Sequence, residues 1–442
     1  MIPIFQPLHR AFAICALLGI ACLGATPAPP LPSDLAGDVA QSYRLLTTTY
    51  YDTVSPQSLL VAATDALATA ARKHGVTIAP SSLQGPESGV LQLDAAIAST
   101  AQAANASPSE FAYVAIDAMA KATNDRYTQF FTPAEYRAFS EALDPQKIGG
   151  IGVMITPDPA SGYVRISYVL PGTPAERAGL SMNDIITTVN GTTTKGLSID
   201  GVSGLLRGKA GSIVNVTVRR PSGASTVAIT RENVQPPTVI SKMLPDNIAY
   251  VWVIAFGRQT PGEFDTAIGR LFAQGARALV LDLRNDGGGY VNSALDISSR
   301  FIANKALLTV QERGRRATTI DSDANPSVTI PVSVLVNQYT ASASEITAGA
   351  LQDDGIATLV GSRTFGKGVM QTLTPLPDGA AIKITTAHYL TPNHRDINLR
   401  GIDPDVAVVE NKDARFGEIA KDVQLRTAIE LLQKKLARTL SP

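Results

Sequence analysis

Three polar residues late in the chain, Ser342, Lys367 and Gln371, are of types that together can cleave an amide bond without a histidine. A serine hydroxyl attacks an amide carbonyl only if a base removes its proton. A neutral lysine amine can be that base, but its reference pKa of about 10.4 requires burial or distance from carboxylates. A glutamine near the lysine can accept a hydrogen bond from the amine without adding charge. Taken singly, each residue is equally consistent with a surface turn or a helix cap.

The elements that must position Ser342 are visible as apolar runs on either side of it. Residues 332–336 and 357–360 are continuous apolar stretches that indicate buried strands, and residues 345–351 between them suit a short helix. Ser342 therefore lies where a strand turns into a helix. Such a turn exposes the serine and directs the first N–H groups of the helix towards whatever binds above it.

These segments resemble the carboxyl-terminal processing proteases, also called tail-specific proteases. The family's Ser-Ala-Ser-Glu segment matches Ser342 to Glu345, and its Thr-Phe-Gly-Lys-Gly segment matches residues 364–368, with a glutamine four residues after the lysine. The resemblance extends from about residue 50 to about residue 406. It implies a Ser/Lys endopeptidase in which Ser342 is the nucleophile, Lys367 the general base and Gln371 the residue that holds the lysine.

The tetrahedral intermediate of such a reaction needs fixed hydrogen-bond donors around its oxyanion. The backbone N–H groups of Ala343 and Gly288 are the candidates, since Gly288 lies in a glycine-rich loop, residues 284–289, that can approach a ligand closely. The family has Asp-Leu-Arg-Asn-Asn-Pro-Gly-Gly here. This chain has Gly287 where the family has proline, which loosens the loop and leaves the two following glycines in place.

A second module begins at residues 149–153, which resemble the Gly-Leu-Gly-Phe loop of PDZ domains. Residues 171–180 and 183–191 match further PDZ segments, with Asn183 where the family usually has glycine. The resemblance implies that this module captures flexible protein C-termini with apolar last residues, by adding them as a strand. Its candidate binding residues are Gly150, Ile151, Gly152 and Val153. A β-rich module without a ligand is the alternative.

Length and composition indicate a multidomain globular protein. The 442 residues favour two or three domains, and 45% hydrophobic with 17% charged residues allow a sizeable core. The predicted fold is a multidomain α/β (α+β) architecture whose catalytic core, by resemblance, is similar to crotonase and Clp protease. The expected divisions are a signal peptide over 1–25, a helical region over 26–145, a PDZ-like domain over 146–234 and the catalytic domain over 235–442. Within the helical region, Tyr127 and its aromatic neighbours are assigned to the core.

The N-terminus predicts export. Arg10 precedes an apolar run over residues 11–21, and small residues and prolines follow it. The run is short for a membrane span. Anchoring of the protein to the membrane and lipidation of Cys22 are both left open as alternatives. The expected location is the periplasm or cell envelope. Because Cys15 and Cys22 are the two cysteines, a mature chain without this segment has no cysteine for a disulfide, a metal site or a nucleophile.

Other functions have weaker support. A His-based serine protease would need His9, His74, His388 or His394, and no Gly-x-Ser-x-Gly or His-Glu-x-x-His segment occurs. No cofactor or metal is expected, and with zero net charge and no basic stripe neither is a nucleic-acid partner. A non-catalytic or activator-dependent PDZ scaffold on the same fold is the alternative to an active protease. An adaptor protein and a homo-oligomer are left open.

Overall fold

A computed structural model describes residues 28–78, 86–144, 147–323, 326–411 and 417–439. The predicted signal peptide, with Cys15 and Cys22, lies outside them. The helices are α1 Ser33–Thr48, α2 Pro56–Lys73, α3 Pro86–Ala104, α4 Pro108–Lys121, α5 Pro133–Leu143, α6 Pro174–Arg177, α7 Ile199–Leu206, α8 Thr260–Ala273, α9 Val291–Ser299, α10 Ala343–Asp353 and α11 Val423–Thr439. In the ranges just given, no helix is both long and apolar enough to cross a bilayer.

The strands form two catalytic sheets, a PDZ-like sheet and a short two-stranded ribbon. Their bounds are β1 Gln129–Phe131, β2 Ile148–Gly150, β3 Val153–Asp158, β4 Tyr163–Val169, β5 Ile185–Val189, β6 Thr192–Thr193, β7 Ile213–Arg220, β8 Gly223–Thr230, β9 Glu232–Val234, β10 Val239–Leu244, β11 Ile248–Val253, β12 Ala278–Asp282, β13 Ala306–Glu312, β14 Thr318–Asp321, β15 Val332–Val336, β16 Ala357–Gly361, β17 Val369–Pro375, β18 Ala381–Leu390 and β19 Val406–Ala407.

The N-terminal helices α1 to α4 form a small core of their own and rest on strand β18. Ile382 and Ile384 of β18 share this core with Leu46 of α1, Leu60 of α2 and Phe111 of α4. Helix α1 starts at residue 33, directly after the prolines that follow the predicted signal peptide. The helical region is therefore attached directly to the catalytic part of the chain.

The central catalytic sheet has the strand order β10-β11-β12-β15-β16-β19. From β11 onwards neighbouring strands are parallel, and β10 adds an antiparallel edge. Helices α8, α9 and α10 cover one face and α11 covers the other. Burial on both faces explains why β12 and β15 consist almost wholly of apolar residues. The loops after β12 and β15 leave the same edge of this sheet, because parallel strands end together.

The second catalytic sheet has the order β1-β18-β13-β14, and β17 pairs along most of the long strand β18 on its other edge. It stands beside the first sheet, since Leu307, Leu308 and Val310 of β13 belong to the same core as α10. The PDZ-like sheet, β3-β4-β5-β7-β8, packs its inner face against α7. The β2–β9 ribbon joins the two ends of that module.

Candidate active site

Ser342 occupies a strained turn between β15 and α10. Its φ of 58° and ψ of −117° are unusual for a residue with a side chain, and such backbone strain is concentrated at functional sites. Ser342 is the N-cap residue of α10, and it is 8% exposed. Its side chain borders a cavity of about 720 Å³, so a buried residue still faces open space. This is the placement expected of a nucleophile.

Lys367 lines the same cavity as Ser342, from the loop between β16 and β17. The pKa of its ammonium group is lowered to about 8, first by burial and then by the positive charge of Lys383, against the opposing charges of Glu345 and Asp125. At pKa 8 about one lysine in ten is neutral at pH 7, far more than at the reference pKa. The lowered pKa makes Lys367 the candidate general base. Among the described residues, no histidine lines this cavity.

Glu345 ties the serine turn to the lysine loop. Its buried carboxylate accepts the N–H groups of Ser342 at 2.9 Å and Lys367 at 2.8 Å through one oxygen. The other oxygen accepts the Gly366 N–H at 2.7 Å and the Thr364 hydroxyl at 2.5 Å. Hydrogen bonds to a charged acceptor are strong, so one carboxylate fixes the backbone at both candidate catalytic residues.

Two tyrosines contact the candidate catalytic residues Ser342 and Lys367. The Tyr389 hydroxyl lies 3.2 Å from the carbonyl oxygen of Ser342 and 2.5 Å from that of Lys367. The Lys367 amine lies 5.2 Å from the centre of the Tyr127 ring, within the range of a cation–π contact. The assignment of Tyr127 to the core is therefore wrong, because this half-buried ring borders the candidate base.

The glycine-rich loop after β12 packs directly on the serine turn. A Cβ at Gly288 would lie 2.6 Å from the Ala341 oxygen and 2.8 Å from the Ala343 nitrogen, so only glycine fits here. The Ala343 N–H is the first of α10 and has no acceptor within the helix, as an oxyanion donor requires. The Gly288 N–H instead donates to the buried carboxylate of Asp286 at 2.8 Å.

Asp286 is fully buried, and burial raises its pKa to about 8. One of its oxygens, Oδ2, has no hydrogen-bond partner within the described part of the chain. Use of the Gly288 N–H in an oxyanion hole thus requires Asp286 to release it, and the role of Gly288 stays a prediction.

Gln371 lines the cavity on β17, but its amide nitrogen donates to the Val369 carbonyl at 3.3 Å. The described contacts of Gln371 do not include the Lys367 amine. Its proposed role in orienting the lysine therefore stays a prediction too.

The predicted PDZ loop borders a small pocket between β3 and α7. Gly150, Ile151, Gly152 and Val153 line a cavity of about 150 Å³, together with Leu206 of α7. Gly152 has a φ of 84°, and a Cβ there would lie 2.3 Å from the Thr173 side chain, which explains the glycine. The pocket lies where an added strand would pair with β3, and it has room for one apolar side chain.

Two segments of the chain match known protein families. The sequence profile of peptidase family S41 matches residues 247–408, and that of the PDZ domain matches residues 165–220. The carboxyl-terminal-processing protease of Picosynechococcus sp. is 35% identical over 333 residues, which are 74% of this chain and 80% of that protein. The chain belongs to the S41 peptidases. It is a serine-type, carboxyl-terminal-processing peptidase with a PDZ domain.

A second relative agrees with membership of the S41 family, and a solved structure agrees with the fold. The carboxyl-terminal-processing protease of Synechocystis sp. is 34% identical over 333 residues, covering 73% of this chain and 77% of that protein. A solved structure described as a putative S41 protease from Bacteroides fragilis covers 89% of this chain and 97% of its own, at 16% identity and a TM-score of 0.53. That likeness concerns the fold. The predicted multidomain α/β fold is confirmed.

Sequence analysis of this S41 peptidase missed three residues of the site: Glu345, Tyr389 and Lys383. Glu345 had a usable signal, because Ser342-x-x-Glu345 has the spacing of a helix capping box. Tyr389 and Lys383 lie on β18, whose pattern gives no sign that the strand borders a cavity.

Proposed function

We propose that this S41 peptidase uses Ser342 as nucleophile and Lys367 as general base to cleave flexible protein tails that its PDZ module has captured. The main support for this proposal is that both residues line one cavity, while the Glu345 carboxylate accepts a hydrogen bond from the backbone N–H of each. A neutral lysine of lowered pKa beside a strained, cavity-facing serine is the arrangement that activates a hydroxyl without histidine.

The reaction follows from these positions. The Ser342 hydroxyl attacks the scissile carbonyl and its proton moves to the Lys367 amine. The Ala343 N–H donates to the oxyanion, and the Gly288 N–H joins it if Asp286 releases that group. The lysine then protonates the leaving amine as the C–N bond breaks. A water molecule, deprotonated by the same lysine, hydrolyses the acyl-serine ester and restores both residues.

The PDZ pocket supports capture of a free, apolar C-terminus. Its walls are mostly apolar, with Ser203 and Arg207 as polar members of the lining. The loop at Gly150 to Gly152 offers backbone N–H groups where a terminal carboxylate would lie. Strand addition along β3 needs backbone pairing and one side-chain pocket, so it permits many different tails.

The same pocket borders the connection to the catalytic sheet. Val234, Pro236 and Pro237, which lead from the PDZ module into β10, line it beside the loop residues. A bound tail would therefore contact this connection. We propose that tail binding moves the PDZ module and opens the catalytic cavity.

Capture predicts that cleavage depends on the last residue of the substrate. An unfolded protein ending in valine or alanine is expected to have a KM about tenfold lower than the same protein ending in aspartate, since burying an aliphatic side chain contributes about 1.5 kcal/mol or more. Val153→Glu, which places a charge in the pocket, should abolish this preference. The measurement is steady-state cleavage of the matched pair of substrates.

The control for this test is Ile213→Glu, on an exposed position of the same module. It should keep the wild-type preference. Equal KM values for the two substrates with the wild-type enzyme, or an unchanged preference in a folded Val153→Glu variant, would contradict capture by this pocket.

We also propose that the protein acts in the cell envelope. The support is the N-terminal sequence, in which Arg10 precedes the apolar run over 11–21. N-terminal sequencing of the protein from fractionated cells would test this: a mature chain beginning near residue 26 is expected, and a full-length chain in the cytosol would contradict it.

A further inference from the structure

A second lysine, Lys383, lines the catalytic cavity together with Lys367. It lies on β18, where it pairs across the sheet with Leu373 of β17 and, on the other side, with Gln129 of β1. The positive charges of two lysines in one partly buried cavity repel each other, which is unfavourable for the folded state. Such an arrangement calls for a functional explanation.

The Lys383 ammonium group is held in place by neutral partners. It donates to the Gln129 side-chain oxygen at 2.9 Å, and it lies 5.2 Å from the ring centres of both Phe131 and Phe139. Such contacts fix a cation without neutralising it. Within the described ranges, no carboxylate forms an ion pair with it. Burial lowers the pKa of Lys383, and the charge of Asp125 before β1 opposes this effect without a direct contact. The ammonium group of Lys383 therefore faces the cavity without a bound counter-ion from the described residues.

The four charges around Lys367 come from three parts of the chain. Glu345 on α10 and Asp125 before β1 favour the protonated lysine, whereas Lys383 on β18 and Arg126 before β1 disfavour it. Among these charges, Lys383 has the strongest effect on the pKa of Lys367. Without it, the buried Glu345 carboxylate beside the lysine loop would be the dominant charge and would favour the ammonium form.

We propose that Lys383 is a positioning residue that favours the neutral form of the Lys367 amine, by holding a positive charge in the catalytic cavity against the opposing charge of Glu345. This proposal rests on the proposed role of Lys367 as the general base. The Glu345 carboxylate holds the site together, but its charge favours the protonated form of Lys367, which cannot act as a base. The charge of Lys383 offsets this effect without contact with the substrate.

A purely structural role is the rival explanation, because the Lys383–Gln129 hydrogen bond also joins β18 to β1. The two roles differ in what they predict for ionisation. A structural anchor changes stability and leaves the ionisation of Lys367 where it is. If the role is electrostatic, loss of the Lys383 charge shifts the pKa of Lys367, whereas replacement of Lys383 by another cation of similar length leaves that pKa unchanged.

The experiment compares Lys383→Met, Lys383→Gln and Lys383→Arg with the wild type. The first readout is the pH dependence of kcat/KM between pH 6 and 10. The second is the rate at which the Lys367 amine reacts with acetic anhydride at each pH, followed by mass spectrometry of its peptide. The second readout titrates Lys367 directly and does not depend on activity. Lys195→Met, on the PDZ module, controls for loss of a distant positive charge.

Lys383→Met and Lys383→Gln are expected to shift both titrations upwards by about one pH unit, which is a tenfold loss of activity below the midpoint. Lys383→Arg and Lys195→Met should leave both unchanged. The proposal is overturned if either neutral variant, folded by circular dichroism, labels at Lys367 with the wild-type midpoint. A shift in labelling without a matching shift in kcat/KM would support the charge effect and contradict Lys367 as the base, so the two failures are distinguishable.

Discussion

Ser342→Ala and Lys367→Ala are each expected to lower kcat by at least about 10⁴-fold, and the double variant should be no slower than either alone. Both residues serve one proton-coupled attack, so removing either abolishes it, and effects within such a unit do not add. Binding and the oxyanion donor would account for the activity that is left. The measurement is cleavage of an unfolded protein with an apolar C-terminal tail.

Tail binding provides the control for this prediction. Because neither side chain lines the PDZ pocket, both alanine variants should still bind a tail peptide with wild-type affinity. The wild-type rate should also survive a zinc chelator. A Lys367→Ala variant that retained the wild-type rate would show that another group is the base. A double variant about 10⁴-fold slower than each single variant would show that the residues act independently.

Arg284→Met is expected to lower the free energy of unfolding by about 3–5 kcal/mol. Arg284 is fully buried between Asp282 at the end of β12 and Asp422 before α11, with hydrogen bonds of 2.6–3.0 Å to the two carboxylates. Removal of the guanidinium group leaves two carboxylates without their counter-charge in a closed interior. Urea denaturation followed by circular dichroism measures the change.

The matched control for Arg284 is Arg300→Met, which breaks a partly exposed ion pair with Asp265. Exposed pairs contribute about 1 kcal/mol or less, so this variant should be close to the wild type. Equal destabilisation by the two substitutions would contradict the role given to the buried network. Arg284 is the first residue of the glycine-rich loop. Its replacement should therefore also reduce activity, because it loosens the loop that packs on Ser342.

The strands and helices that carry the site were predictable because each has a local cause. The run at β15 is apolar except for Ser333 because α10 and α11 cover both of its faces, and the turn at Ser342 follows from a strand that ends where a helix begins. Alternation along β7 likewise reflects a sheet with one covered face. Such patterns are visible in the sequence because buried positions are occupied by apolar residues.

The contacts that define the site were not predictable, because they join segments far apart in the chain. Glu345 bonds to the lysine loop only because β16 runs parallel to β15 and returns that loop to the start of α10. Tyr127 reaches Lys367 because β1 pairs with β18, across about 250 residues of sequence. The hydrogen bond from the Gly288 N–H to Asp286 depends on backbone direction within a loop, which composition does not specify.

The pH dependence of kcat/KM for the wild-type enzyme tests the central claim most directly. A lysine base works only when neutral, so activity should rise with pH through an apparent pKa of about 8, the value to which burial and Lys383 lower the pKa of Lys367. Activity should therefore increase about tenfold per pH unit between pH 6 and 7 and level off above pH 9. A profile that rises through pH 6.5 and is flat by pH 7.5, or one that does not change with pH, would contradict a catalytic Lys367.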